Sequence, residues 1–157
     1  MRVLFVCSGN ICRSPMAAEY MRHRAAQERL ASVAVDSAGL LGIEGAPASR
    51  EAIEVLREAA LDLGAHRSRG IRATDARSSD LLLVMTPEHL REIADRFPAA
   101  VPRTRLLRAF EAGPEPAHDP APLADPIGCP IELYRHCFDT IRICVDHLVL
   151  HLRHPER

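Results

Sequence analysis

The chain shows no targeting or anchoring segment. Only Val3–Val6 separate Arg2 from Cys7, far too short for a signal-peptide core or a membrane span. No membrane partner is therefore expected, and a cytoplasmic location is. Charge of one sign is not in excess either: the formal net charge is -1 at pH 7. The global basic field that non-specific nucleic-acid binding needs is missing, so an anion bound here must be held by a local device. There are no internal repeats and no low-complexity tract, although residues 111–126, EAGPEPAHDPAPLADP, form a long Pro-rich connection. The chain contains no lysine, hence no Walker lysine, and no GxGxxG follows its first apolar run. Cysteine is sparse and odd in number, at five. Without a secretory signal these read as reduced thiols rather than a disulfide framework.

What is present suits one globular domain over residues 1–157. Hydrophobic residues make up 47% and charged residues 26%, in a chain long enough to bury a real core. Short apolar runs at Val3–Val6, Val33–Val35, Leu81–Val84 and Arg105–Leu107 predict strands. The first and third are continuously apolar, as strands buried on both faces of a parallel sheet are. Helical stretches lie between them. One is predicted to open with Ser14 as N-cap and Pro15 at its first position. Another starts at Ser49 and is expected to stop at Gly64. Near the end, Ile131, Tyr134, Phe138, Ile141, Val145, Leu148 and Leu152 make one apolar helical stripe. Strand–helix alternation implies an α/β fold with a parallel sheet and right-handed crossovers. Ligands bind beyond the carboxyl ends of strands in such folds, which directs attention to the loop after Val6.

That loop is Cys-Ser-Gly-Asn-Ile-Cys-Arg-Ser, residues 7–14. Gly9 and Asn10 tolerate the positive φ that lets successive N–H groups turn inward as an anion nest. The helix that follows adds donors and the positive end of its dipole. Arg13 adds a planar fork suited to two phosphate oxygens. The same field favours the thiolate of a cysteine at its focus. Cys7 is thus expected to be a nucleophile under a bound oxyanion, working through a phosphocysteine.

VLFVCSGNICRSPMAAE at the N-terminus resembles the signature of the low-molecular-weight protein tyrosine phosphatases, bacterial type. DSAGL (36–40), HRSR (66–69), DLLLVMTPEH (80–89) and ADPIG (124–128) follow in family order. The resemblance implies a flavodoxin-like sandwich: a four-stranded parallel sheet flanked by helices on both faces, with a phosphate-binding loop after strand 1. It implies Cys7 as nucleophile, Arg13 as phosphate clamp, and the amides of Ser8, Gly9, Asn10, Ile11, Cys12 and Arg13 as the cradle. Ser14 would hydrogen-bond the thiolate, with Asn10, Ser37 and His66 holding the loop in shape. No cofactor and no metal is implied. The expected partner is a phosphorylated protein, and the expected product is inorganic phosphate.

A thiolate attacking a phosphate ester needs an acid for the departing oxygen and then a base for water. Two aspartates in the Pro-rich stretch, Asp119 and Asp125, each precede a proline, and composition does not separate them. The family places this residue nine positions before an aromatic on the last helix. Tyr134 stands nine beyond Asp125, so the resemblance selects Asp125. It also implies that Cys12 forms a reversible, protective disulfide with Cys7. Cys129, Cys137 and Cys144 read as helix-face packing residues.

The family's aromatic pocket wall is replaced by aliphatics: Leu40, Leu41 and Ile43 on one side and Ile127 on the other. SAGLLGIEGAPAS resembles the bacterial branch acting on tyrosine kinases of polysaccharide export, whereas MTPEH and DPIG resemble protein-arginine phosphatases. The latter typically carry threonine where this loop has Ile11, and Ile11 favours phosphotyrosine. A protein tyrosine phosphatase is therefore the leading expectation and a protein-arginine phosphatase the alternative. An arsenate reductase would need relay cysteines after the third strand, and VMTPEHLRE has none. A phosphate-binding or redox module without turnover would not need Asp125.

Overall fold

A computed structural model describes residues 1–153. The last residues of the expected 1–157 unit lie outside the described residues. Four strands are present: β1 (Arg2–Cys7), β2 (Ala34–Gly39), β3 (Leu81–Val84) and β4 (Thr104–Leu106). They pair in parallel in the order β2-β1-β3-β4. The helices are α1 (Arg13–Gln27), α2 (Arg50–Glu58), α3 (Ala73–Ser78), α4 (Pro87–Arg96) and α5 (Ile131–Arg153). Two 3-10 turns, Pro98–Arg103 and Leu107–Phe110, flank β4.

The side-chain alternation of the central strand creates two cores. Val3, Phe5 and Cys7 face a cluster with Met16, Met21, Leu56, Tyr134, Phe138, Ile141 and Val145 from α1, α2 and α5. Leu4 and Val6 face the other way, onto Ile71, Ala76, Ile93 and Ala100. Being buried on both faces is why β1 reads as an unbroken apolar run. The sheet with helices on both faces is the flavodoxin-like arrangement the sequence implied. Among the described residues no helix is long and apolar enough to cross a membrane.

The element boundaries correct several expectations. β2 runs on through Asp36 and Ser37 to Gly39, because each of its residues pairs with one of β1. β4 begins and ends one residue earlier than expected. α1 starts at Arg13, with Cys12 in the N-cap position and no side-chain cap. Ser14 is therefore inside the helix, its hydroxyl committed elsewhere. Ser49 does cap α2, accepting from the Ala52 amide. That helix stops at Glu58, well before Gly64, because Ala60 takes the left-handed conformation at φ 59. The Ala60 amide then bonds the Arg57 carbonyl and the Leu61 amide that of Leu56, a Schellman closure in which alanine stands where glycine is usual. Cys129 belongs to a turn ahead of α5, its amide on the Pro126 carbonyl, while Cys137 and Cys144 pack on the helix as expected.

Candidate active site

The segment from Cys7 to Arg13 leaves the carboxyl end of β1, the middle of the sheet, and passes straight into α1. Neighbouring elements clamp its outer side. The Leu40 and Leu41 amides donate to the carbonyls of Cys7 and Ser8, and the Ser49 amide to that of Ile11. Gly39 must be glycine here: a Cβ would lie 2.8 Å from the Ser8 carbonyl oxygen and 3.1 Å from the Asn10 amide.

Asn10 organises the interior. It is fully buried and takes φ 57, the left-handed turn foreseen for it, whereas Gly9 does not adopt positive φ. Its Nδ2 donates to Ser14 Oγ at 2.8 Å and Ser37 Oγ at 2.9 Å. Its Oδ1 accepts the Arg69 amide at 3.1 Å, and its carbonyl accepts from His66 Nε2 at 2.7 Å. Since a carbonyl only accepts, Nε2 of His66 carries the proton. Burial lowers the pKa of His66, an effect opposed by that hydrogen bond. His66, half-buried, is thus a member of the network and not a solvent-facing residue of a basic loop.

Cys7 is 2% exposed. Its Sγ lies 3.0 Å from Ser14 Oγ and 3.3 Å from the Asn10 amide, which donates to it. The amides of Ser8, Gly9, Ile11, Cys12 and Arg13 meet no acceptor among the described residues. Arg13 is buried too: Nη1 donates to the Leu123 carbonyl at 2.9 Å, and Nη2 lies 3.2 Å from Asp125 Oδ2 and 3.4 Å from Ser8 Oγ. Its Nε is buried without an acceptor among the described residues. These free donors surround Cys7 with the electrostatics of an oxyanion site.

The pocket above has a volume of about 200 Å³. Cys7, Arg13 and Asp125 share its lining with Ser8, Gly9, Ile11 and Cys12, under a rim of Leu41, Ile43 and Ile127. Leu40 is not part of that wall but sits in the second core. Asp119 is exposed and does not line the pocket. Asp125 stands over it, with Oδ1 accepting the Ile127 amide at 3.1 Å. The Cys12 thiol lies 3.4 Å from Ser49 Oγ and 3.5 Å from the Tyr134 hydroxyl. Burial raises its pKa, against the two hydrogen bonds, and holds it as a thiol.

Three contacts were not legible beforehand: Arg69 to Asn10, Tyr134 to Cys12, and His89 to Ser8. His89 lay within the MTPEH stretch, but no spacing rule linked it to the loop.

A loop of free amides closing on a thiol at a strand end defines the class of cysteine-dependent phosphatases, and comparison with known proteins agrees. Residues 2–156 match the family described as low molecular weight phosphotyrosine protein phosphatase, and the chain belongs to that family. A protein-arginine-phosphatase of Geobacillus stearothermophilus is 39% identical over 147 residues, covering 94% of this chain and 93% of its own. The probable low molecular weight protein-tyrosine-phosphatase EpsP of Ralstonia nicotianae is 32% identical over 151 residues, 96% of this chain and 95% of its own. Among solved structures, the YwlE arginine phosphatase in its C7S form with a phosphorylated active site serine superposes with a TM-score of 0.91. It is 30% identical, covering 100% of this chain and 99% of that one.

Proposed function

We propose that the chain is a protein tyrosine phosphatase with Cys7 as nucleophile, Arg13 as phosphate clamp and Asp125 as general acid and base. The observation that carries this reading is the meeting of those three side chains in one pocket with apolar walls. The Cys7 thiolate attacks phosphorus, and the S–P bond forms as the P–O bond to the leaving group breaks. Asp125 protonates the departing phenolate. Water then attacks phosphorus, giving its proton to Asp125, while the S–P bond breaks and inorganic phosphate leaves. Ser14, 3.0 Å from Sγ, stabilises the departing thiolate. The Arg13 Nε–H and the free loop amides hold the phosphoryl oxygens throughout, where they match developing charge best. The phosphorylated active site serine of the solved C7S YwlE supports a covalent intermediate at this position. The reduced state that this chemistry needs supports a cytoplasmic location.

The preference for phosphotyrosine rests on the walls. Ile11, Leu41, Ile43 and Ile127 offer no partner for a guanidinium, and the charged side chains lining the pocket, Arg13 and Asp125, face each other. A phenyl ring leaves water for such a slot at no polar cost, whereas phosphoarginine would leave N–H donors unpaired. The likeness to two arginine phosphatases favours the second reading, a protein-arginine phosphatase on the same scaffold. Parallel assays of phosphotyrosine, phosphoarginine and phosphoserine peptides decide between them. Phosphotyrosine should be hydrolysed fastest; phosphoarginine in first place would transfer the assignment to the second reading, and no hydrolysis of any would remove both.

The Cys7–Cys12 pair carries a further expectation. Peroxide converts the Cys7 thiolate to a sulfenic acid, and the Cys12 thiol condenses with it, releasing water and forming a disulfide. Wild-type protein should lose activity in mild peroxide and regain it with a thiol reductant. Cys12→Ser should recover only a minor fraction, and full recovery by that variant would rule out the protective role.

A further inference from the structure

We propose that His89 is a positioning residue that turns the Ser8 hydroxyl into a fixed donor toward the bound phosphoryl group. The inference rests on the reading of the loop as an oxyanion site and adds to it a group that the Cys-x5-Arg pattern does not contain.

His89 is the third residue of α4 and is buried. Its backbone is set by the helix cap, the His89 amide donating to Thr86 Oγ1 at 3.3 Å. Its ring is set by the end of β3, where the Met85 amide lies 3.3 Å from Nδ1. A backbone N–H only donates, so Nδ1 presents its lone pair and the ring proton of the neutral imidazole is on Nε2. Nε2 lies 2.9 Å from Ser8 Oγ and therefore donates to it. Arg13 Nη2, also a pure donor, lies 3.4 Å from the same oxygen.

A serine oxygen has two lone pairs and one proton. With His89 and Arg13 directed at the lone pairs, the proton takes the remaining direction. Ser8 lines the pocket, and among the described residues no protein acceptor takes its hydroxyl proton. The acceptor that fits is an oxygen of the phosphoryl group on Cys7 or approaching it. The arrangement requires His89 to be neutral. Burial first, and the Arg13 charge second, push its pKa down to about 4, so the tautomer persists across the working range. Met85 also accepts the Leu123 amide at 2.8 Å, and the Leu123 carbonyl accepts Arg13 Nη1. One residue at the end of β3 thus sets both His89 and the clamp.

The test uses two replacements that each keep one half of the ring's bonding. Asparagine places an amide where Nδ1 was, within reach of Met85 but short of Ser8. Glutamine places its amide nitrogen where Nε2 was, within reach of Ser8. The readouts are the inhibition constant of inorganic phosphate and kcat/KM for an aryl phosphate, with thermal midpoints to register folding. A hydrogen bond to a charged acceptor corresponds to a loss of about tenfold or more when removed. Ser8→Ala and His89→Asn should each weaken phosphate binding by about that factor, and His89→Gln should restore most of it. The Ser8→Ala/His89→Asn double variant should be no weaker than Ser8→Ala alone, since both remove the same donor. Losses that multiply in the double variant, or asparagine preserving binding better than glutamine, would overturn the proposal. Should His89→Asn not fold, His89→Gln decides alone: near-wild-type phosphate binding supports the positioning role, and a tenfold loss ends it. Wild-type protein that neither hydrolyses aryl phosphate nor binds phosphate would instead reject the underlying reading of the loop.

Discussion

Cys7→Ser protein will show no sustained hydrolysis of aryl phosphates and will still bind inorganic phosphate. The two halves of this result have separate physical origins. Turnover needs a nucleophile that is anionic at neutral pH and a good leaving group afterwards; a serine oxygen is neither, and its phosphoester is stable. Loss of a catalytic nucleophile in subtilisin costs on the order of 10⁶ in rate, and a loss of that order is expected here. Binding, by contrast, depends on the shape of the loop. That shape is held by Asn10 on Ser14, Ser37, Arg69 and His66, and by the close fit of Gly39. None of these contacts passes through Sγ. Arg13→Ala is the contrasting variant. It removes the guanidinium whose Nε has no protein acceptor among the described residues and leaves the Asp125 carboxylate over the pocket without its counter-charge. Phosphate affinity and turnover should both collapse, since a clamp as proposed for Arg13 would act on ground and transition state alike. Steady turnover by Cys7→Ser, measured as product beyond one equivalent of enzyme, would sink the phosphocysteine mechanism. Retained phosphate binding by Arg13→Ala would remove the clamp.

The parts of the fold legible in the sequence are those governed by burial. β1 and β3 lie inside the sheet with helices on both faces, so Val3–Val6 and Leu81–Val84 are continuously apolar and each run announces itself. The stripe from Tyr134 to Leu148 announces α5 for the same reason. What was misplaced is governed by pairing or by single backbone angles. β2 contains Asp36 and Ser37 and is a strand because β1 pairs with it. α2 ends at a left-handed alanine and α1 at a left-handed Arg29, φ 56, so neither end carries the glycine that marks such stops. Ser14 has the composition of a cap, but its hydroxyl serves Cys7 and Asn10. In the candidate site, the contiguous residues 7–14 were readable because their chemistry is local. Tyr134 and His89 reach the loop across 122 and 81 residues of chain, and no spacing within the sequence encodes such a meeting.

Asp125→Asn should slow the hydrolysis of phosphotyrosine far more than that of an activated aryl phosphate. The substitution is nearly isosteric. An asparagine Oδ1 can still accept the Ile127 amide, as Asp125 does at 3.1 Å, so the rim geometry persists and the loop, Arg13 and Cys7 are untouched. What is lost is the transferable proton, and with it the charge 3.2 Å from Arg13 Nη2. General acid help is worth roughly 10² to 10⁴ in rate. Its value depends on how badly the leaving oxygen needs a proton. A tyrosine phenolate, with a pKa of about 10, needs one; a strongly acidic phenol leaves almost as well without it. Hence kcat on phosphotyrosine should fall by roughly 10² or more, and kcat on the activated ester much less. Asp119→Asn is the control on the same Pro-rich connection: that residue is exposed and away from the pocket lining, so both rates should stay near wild type. Measuring kcat for both variants on both substrates separates an acid from a merely structural aspartate, because lost structure would slow the two substrates alike. A leaving-group-dependent loss in Asp119→Asn, with none in Asp125→Asn, would show that the aspartate nine residues before Tyr134 is the wrong one, and that the Pro-rich connection must move to bring Asp119 over Cys7.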